Sequence, residues 1–93
     1  MTALSDIVIQ IIKRQEAVIG PLAWKEASKV QGLKVEGNAR TVEMTESDQR
    51  LVVDRLVQQY KRLFGGASQL VCREAAAGLL ANMPTDEIPS SLR

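Results

Sequence analysis

The sequence predicts an α+β fold, mostly α, in which two helical hairpins are joined by a short β-hairpin. Three observations predict it. Apolar residues recur every three to four positions up to about residue 30 and again after about residue 45, but alternate with period two between about 33 and 45. A dipeptide that begins with glycine, Gly20-Pro21 or Gly65-Gly66, interrupts each helical stretch. The chain has 93 residues, 45% of them hydrophobic and 25% charged, which is the balance of one domain. About two-thirds of it is expected to be helical.

In the first element, apolar residues fall at Leu4, Ile7, Val8, Ile11, Ile12, Val18 and Ile19, one face of a helix from Leu4 to about Ile19 with Ser5 as its N-cap. The β-branched run Ile7-Val8-Ile9 also suits a strand. Length favours the helix, because Lys13, Arg14, Gln15, Glu16 and Ala17 carry the pattern on to Gly20-Pro21. Proline is well suited to the first helical position, so a second helix runs from Pro21 to about Val30, with Ala23, Ala27 and Val30 as its stripe. Gly32 supplies a left-handed residue that ends it.

Leu33-Lys34-Val35-Glu36 and Thr41-Val42-Glu43-Met44 then form the hairpin. With Gly37-Asn38 as a two-residue turn, Leu33 lies opposite Val42 and Val35 opposite Arg40. Leu33, Val35, Val42 and Met44 share the inner face, and Lys34, Glu36, Thr41 and Glu43 the wet one. Thr45 and Asp48 resemble a capping box that opens a third helix at about 46–64, whose stripe is Val52, Val53, Leu56, Val57, Tyr60, Leu63 and Phe64. Gly65-Gly66 ends it. A fourth helix follows at about 67–83, with Leu70, Val71, Ala75, Leu79, Leu80 and Met83 on its apolar face. Residues 1–83 form the domain, and 84–93, with two prolines and little to bury, read as a flexible C-terminal tail.

Shifting the chain by about 45 residues lays the first helix pair over the second. Val8 meets Val53, Ile11 meets Leu56, Ile12 meets Val57, Val18 meets Leu63, Ile19 meets Phe64 and Gly20 meets Gly65. Any two amphipathic helices align in part, but the shared glycine argues for two related helix-Gly-helix units with Gly20, Pro21, Gly65 and Gly66 as hinges. The segment Gly65-Gly66-Ala67-Ser68-Gln69-Leu70-Val71-Cys72-Arg73-Glu74-Ala75-Ala76 resembles the Gly-Pro-Ile-Ala pattern of small helical accessory modules that accompany kinase and receiver domains in bacterial signalling proteins. Gly20-Pro21-Leu22-Ala23 matches the head of that pattern better, while Gly66 and Ala67 depart from its Pro and Ile. The resemblance implies a non-catalytic accessory or interaction module and identifies no binding residue.

Composition points away from catalysis. There is no histidine, so the commonest general base and metal ligand is missing. Cys72, the single cysteine, forms no internal disulfide, suits a reducing cytoplasmic compartment and reads as a small buried hydrophobe. Glu43, Glu46 and Asp48 do not have the spacing of a calcium loop, and no Lys-Ser/Thr follows Gly65-Gly66 as in a P-loop. No cofactor, metal or small-molecule substrate is indicated. Twelve Lys+Arg against eleven Asp+Glu leave a net charge of +1, which favours neither nucleic acid nor an anionic membrane. The run Ile7 to Ile12 is far shorter than the roughly 20 residues of a membrane span.

What remains is a protein–protein interaction or adaptor module. Four amphipathic helices and a ribbon carry more apolar face than so short a chain hides, and a twofold homodimer is the simplest remedy. Trp24, expected half covered at the edge of its stripe, Ile9, outside the main face of its helix, and Leu70 are the candidate partner-binding residues. The alternative is a helix-turn-helix DNA-binding protein using 46–64 and 67–83, with Arg50, Arg55, Lys61 and Arg62 available for phosphates.

Overall fold

A computed structural model describes residues 3–36, 41–81 and 83–92. The elements are α1 (Ala3–Ile19), α2 (Leu22–Ala27), β1 (Leu33–Glu36), β2 (Thr41–Met44), α3 (Gln49–Phe64) and α4 (Gly66–Leu80), followed by two 3-10 turns at Thr85–Glu87 and Ser90–Leu92. The chain is α+β and 70% helical, with the strands forming one antiparallel pair. The switch of apolar period therefore marks the elements correctly.

Their ends differ from expectation for local reasons. Ser5 lies inside α1 and does not cap it. The second helix is only six residues long; Ser28 ends it, and tighter bonds from the Lys29 and Val30 amides to the carbonyls of Glu26 and Ala27 carry the chain on as a turn. Gly32 is left-handed, at φ +88°, but it serves the entry to β1 and not the helix end. Its carbonyl accepts the amide of Thr45 at 2.8 Å, which closes the base of the ribbon. Thr45 is thereby committed to the ribbon, and Asp48 caps α3 itself, its Oδ1 accepting the Leu51 amide.

The ribbon register is shifted by two residues from the expected one: Leu33 pairs with Met44, Lys34 with Glu43, Val35 with Val42 and Glu36 with Thr41. A two-residue shift keeps every side chain on its predicted face. It also sets valine against valine where Arg40 was expected, and places Lys34 opposite a carboxylate. The predicted Gly37-Asn38 turn and Arg40 lie outside the described residues.

The core is made from α1, α2, α3 and α4 around Ile7, Ile11, Ile12, Leu56, Val57 and Tyr60, all fully buried. The ribbon's apolar face closes one side, with Leu33 buried and Val35, Val42 and Met44 packed against it. Helix α4 meets the others through Ser68, Cys72 and Ala76, spaced by four and buried, while Ala75, Leu79 and Leu80 of the expected stripe pack against the core's margin and Leu70 lies outside it. Small side chains at i, i+4 and i+8 let α1 approach closely, so Leu70 is turned outward, 56% exposed.

The expected flexible tail instead packs onto the domain. Leu92, Ser91 and Pro89 are buried. The Ser91 amide and hydroxyl both donate to Asp54 Oδ1, at 3.0 and 2.6 Å, and Gln69 Nε2 donates to the Ser91 carbonyl at 3.1 Å. The segment thus straps α3 to α4, and its backbone bonds explain how so polar a stretch is held.

Candidate interaction surfaces

The interior contains polar chemistry, and its geometry is that of fastening. Gln15, buried in α1, donates through Nε2 to the Ser68 carbonyl at 3.1 Å and to Cys72 Sγ at 3.4 Å, pinning α1 to α4. Tyr60 donates its hydroxyl to the Ala23 carbonyl at 2.7 Å, pinning α3 to α2, and burial raises its phenol well above the ordinary range. The buried Glu26 is held below the usual carboxylate range chiefly by the hydrogen bond from Lys29 Nζ at 3.0 Å, with Gln59 Nε2 adding a second at 3.0 Å against the opposing effect of burial.

Burial pushes the Cys72 thiol from an ordinary 9.0 up to about 11, the bond from Gln15 pulling weakly the other way. A protonated, enclosed thiol is a poor nucleophile. Below pH 9 both folded and unfolded chains keep the proton. Between 9.0 and about 11 only the unfolded chain releases it, so folding stability declines as pH rises through that window, by about 2–3 kcal/mol in all. Urea titrations at stepped alkaline pH should show this decline, and Cys72→Ala should remove most of the part between pH 9 and 10; an unchanged slope would contradict the assignment.

Among the described residues no three His, Cys, Asp or Glu side chains are grouped as metal ligands, and no helix is long and apolar enough to cross a membrane. The residues proposed for partner contact separate. Trp24, expected half covered, is 6% exposed and belongs to the core, because α2 lies flat against α1 and α3 and buries Ala23, Trp24 and Ala27 together. Ile9 is half-buried. Leu70 alone of the three stands fully on the surface.

The four hinge residues gather at one end of the molecule. Gln15 reaches the first turn of α4, while Leu4 and Met83 line one groove at the opposite end, so α1 and α4 run antiparallel. Tyr60 brings the last turns of α3 to the start of α2. The two hinges also share a bonding pattern. Gly20, at φ +77°, donates to Glu16 and accepts from Ala23; Gly65, at φ +88°, donates to Lys61 and accepts from Ser68. The predicted internal echo is visible here, although its second arms differ in length.

Beyond the Tyr60–Cys72 level the apolar stripes continue without cover. Val18 is 67% exposed, Leu63 46%, Leu22 41% and Phe64 36%. Periodicity assigned Val18, Leu63 and Phe64 to the core because their spacing continues the stripe, and spacing alone does not show where neighbouring helices stop. The signal that marks them is the echo: an apolar pair directly precedes each hinge glycine.

Charge follows the same axis. Exposed cations sit three or four residues from these apolar side chains on the same helices, Arg14 beside Val18, Lys25 beside Leu22, Lys61 beside Phe64 and Arg73 beside Leu70, with Glu16 and Glu74 the carboxylates nearby. At the other end the carboxylates Asp6, Glu46, Asp48, Asp86 and Glu87 outnumber the cations, Arg55 pairing with Glu46 at 3.5 Å and Arg50 donating to the Asp86 carbonyl at 2.6 Å. Helix macrodipoles explain part of the separation, since α1 and α3 both begin at the acidic end and stop at the basic one.

Compared with known proteins, the chain matches no family model, no curated protein and no solved structure.

Proposed function

We propose that the chain is a non-catalytic protein–protein interaction module that associates with itself, of the adaptor kind its resemblance to bacterial signalling accessories implies. The observation that carries this is the uncovered apolar end formed by Val18, Leu22, Leu63 and Phe64, with Leu70 one turn along α4. Single exposed apolar side chains are ordinary on protein surfaces, whereas several gathered at one end and rimmed by charge mark a contact site. The buried side chains of Gln15, Tyr60 and Glu26 support the same reading, for their polar atoms are spent on joining helices. DNA binding has less behind it. The outward face of α4 offers Leu70, Arg73, Glu74, Ala77 and Gly78, with one cation and little else to read a base edge.

Sedimentation velocity over rising protein concentration tests the proposal. The wild-type chain should gain mass in the micromolar to millimolar range, and Leu63→Ser/Phe64→Ser should remain a monomer of unchanged helicity. A wild-type monomer throughout would refute self-association. Retention on duplex DNA that weakens steeply with salt would move the assignment to nucleic acid.

A further inference from the structure

The acidic end holds the counterpart of the apolar tip. An open groove there has Leu4 and Met83 in its lining, with Asp48 and Glu87 beside them and Asp86 adjacent in the chain. Arg50 also lines it, but its guanidinium is directed to the Asp86 carbonyl and to Asp48 Oδ1, at 2.6 and 3.7 Å, and offsets only part of the negative charge. The tip presents apolar side chains with the cations Lys25, Lys61 and Arg62 on the same helices, Arg62 Nη2 donating to Gln59 Oε1, and with Glu16 and Glu74 nearby; the groove presents Leu4 and Met83 among Ser47, Gln49, Arg50 and the carboxylates of Asp48 and Glu87. The prevailing charge is opposite in sign at the two ends of one molecule, and each end also offers apolar side chains.

We infer that the cation-rimmed tip of one copy docks in the carboxylate-rimmed groove of the next, head to tail. This rests on the self-association reading above and replaces the twofold dimer expected from sequence. A twofold contact between tips would bring Lys25, Lys61 and Arg62 of both copies together, more positive charge than Glu16 and Glu74 offset, and like charges across an interface disfavour it. A twofold contact between grooves would do the same with carboxylates. The contact that satisfies both ends is heterologous, so it adds copies in one direction and gives an open chain or a closed ring. The occupant of each surface is a second copy of this chain.

Sedimentation velocity at about 0.02 M and about 0.5 M salt reads the contact directly, since the rim charges are exposed and screened at the higher value. The wild-type chain should form species larger than a dimer as concentration rises, and these should dissociate in high salt. Lys61→Glu/Arg62→Glu reverses the tip and Asp86→Lys/Glu87→Lys reverses the groove. Each alone should weaken association about tenfold or more. Mixed in equal amounts the two should assemble again, because each reversed end then meets its opposite. All four positions are exposed, and unchanged circular dichroism checks that the variants fold.

Assembly that stops at a dimer, or that ignores the groove variant, overturns the head-to-tail contact while self-association stands. Failure of the mixture to recover overturns it as well. A wild-type chain that is monomeric at every concentration removes both.

Discussion

Replacing Trp24 with alanine should lower the unfolding free energy by about 3–5 kcal/mol. The helix that carries it has six residues, too few to persist without tertiary packing, and the indole, 6% exposed, is its largest anchor in the core. Loss of the ring leaves a cavity between α2 and its neighbours, and a domain of this size has only about 5–15 kcal/mol in total. Urea unfolding followed by circular dichroism measures it. Trp24→Phe provides the contrast: Nε1 is buried with no hydrogen-bond partner among the described residues, so phenylalanine surrenders volume but no bond, and it removes a donor whose unpaired burial costs about 1–3 kcal/mol. The loss for phenylalanine should be about 1 kcal/mol or less. An alanine variant within 1 kcal/mol of wild type would show that the ring does not anchor α2.

Gly32→Ala should be nearly as damaging, by about 2–4 kcal/mol, from two causes that a second glycine separates. At φ +88° any L side chain is strained, and a β-carbon placed there would stand 2.9 Å from Glu46 Cβ and 3.1 Å from Val52 Cγ2. The backbone cannot retreat, because the Gly32 carbonyl accepts the Thr45 amide at the foot of the ribbon. Gly20 has φ +77° with nothing among the described residues within 4 Å of its virtual β-carbon, so Gly20→Ala should lose only the conformational part, about 1–2 kcal/mol. In thermal melts the Gly32 variant should fall by roughly 10–20 °C, and by clearly more than the Gly20 variant. Equal losses would mean that dihedral strain alone acts at both sites.

Much of the fold is legible in the sequence, because the stripes of α1 and α3 and the alternation of the strands are direct readouts of which faces are buried. Both strand spans and both hinge glycines can be placed from it. Where a residue has two possible jobs, pattern does not choose between them. Thr45 is as good a cap as Asp48 until its amide is seen bonded to Gly32. The hairpin satisfies its face pattern in either of two registers, and cross-strand partners decide the matter. Helix α4 is legible only in part: Ala75, Leu79 and Leu80 pack against the core as their spacing implies, but the close approach of α1 makes Ser68, Cys72 and Ala76 the buried line and leaves Leu70 exposed. The strap is hidden for the opposite reason: its polar residues are buried by bonds to Asp54 and Gln69, which composition does not reveal. Of the candidate contact residues, Leu70 is on the surface and Trp24 is not, since a rotation of about 100° from a helix stripe is buried or bare according to how many neighbours the helix has.

The seam between α1 and α4 also governs when the molecule can come into being. Its polar fastening joins Gln15 to Ser68, 53 residues later in the chain. As the protein is synthesised, α1 emerges first and waits for the helix that covers it, several seconds at about 5–20 residues per second. During that interval Ile7, Ile11 and Ile12 have only α2, the ribbon and then α3 to lie against. Only once α4 has been made can the seam close, and the strap, made after α4, then ties α3 to α4 through Asp54 and Gln69. A chain that stops before Ser91 lacks the bonds by which the strap joins Asp54 to Gln69.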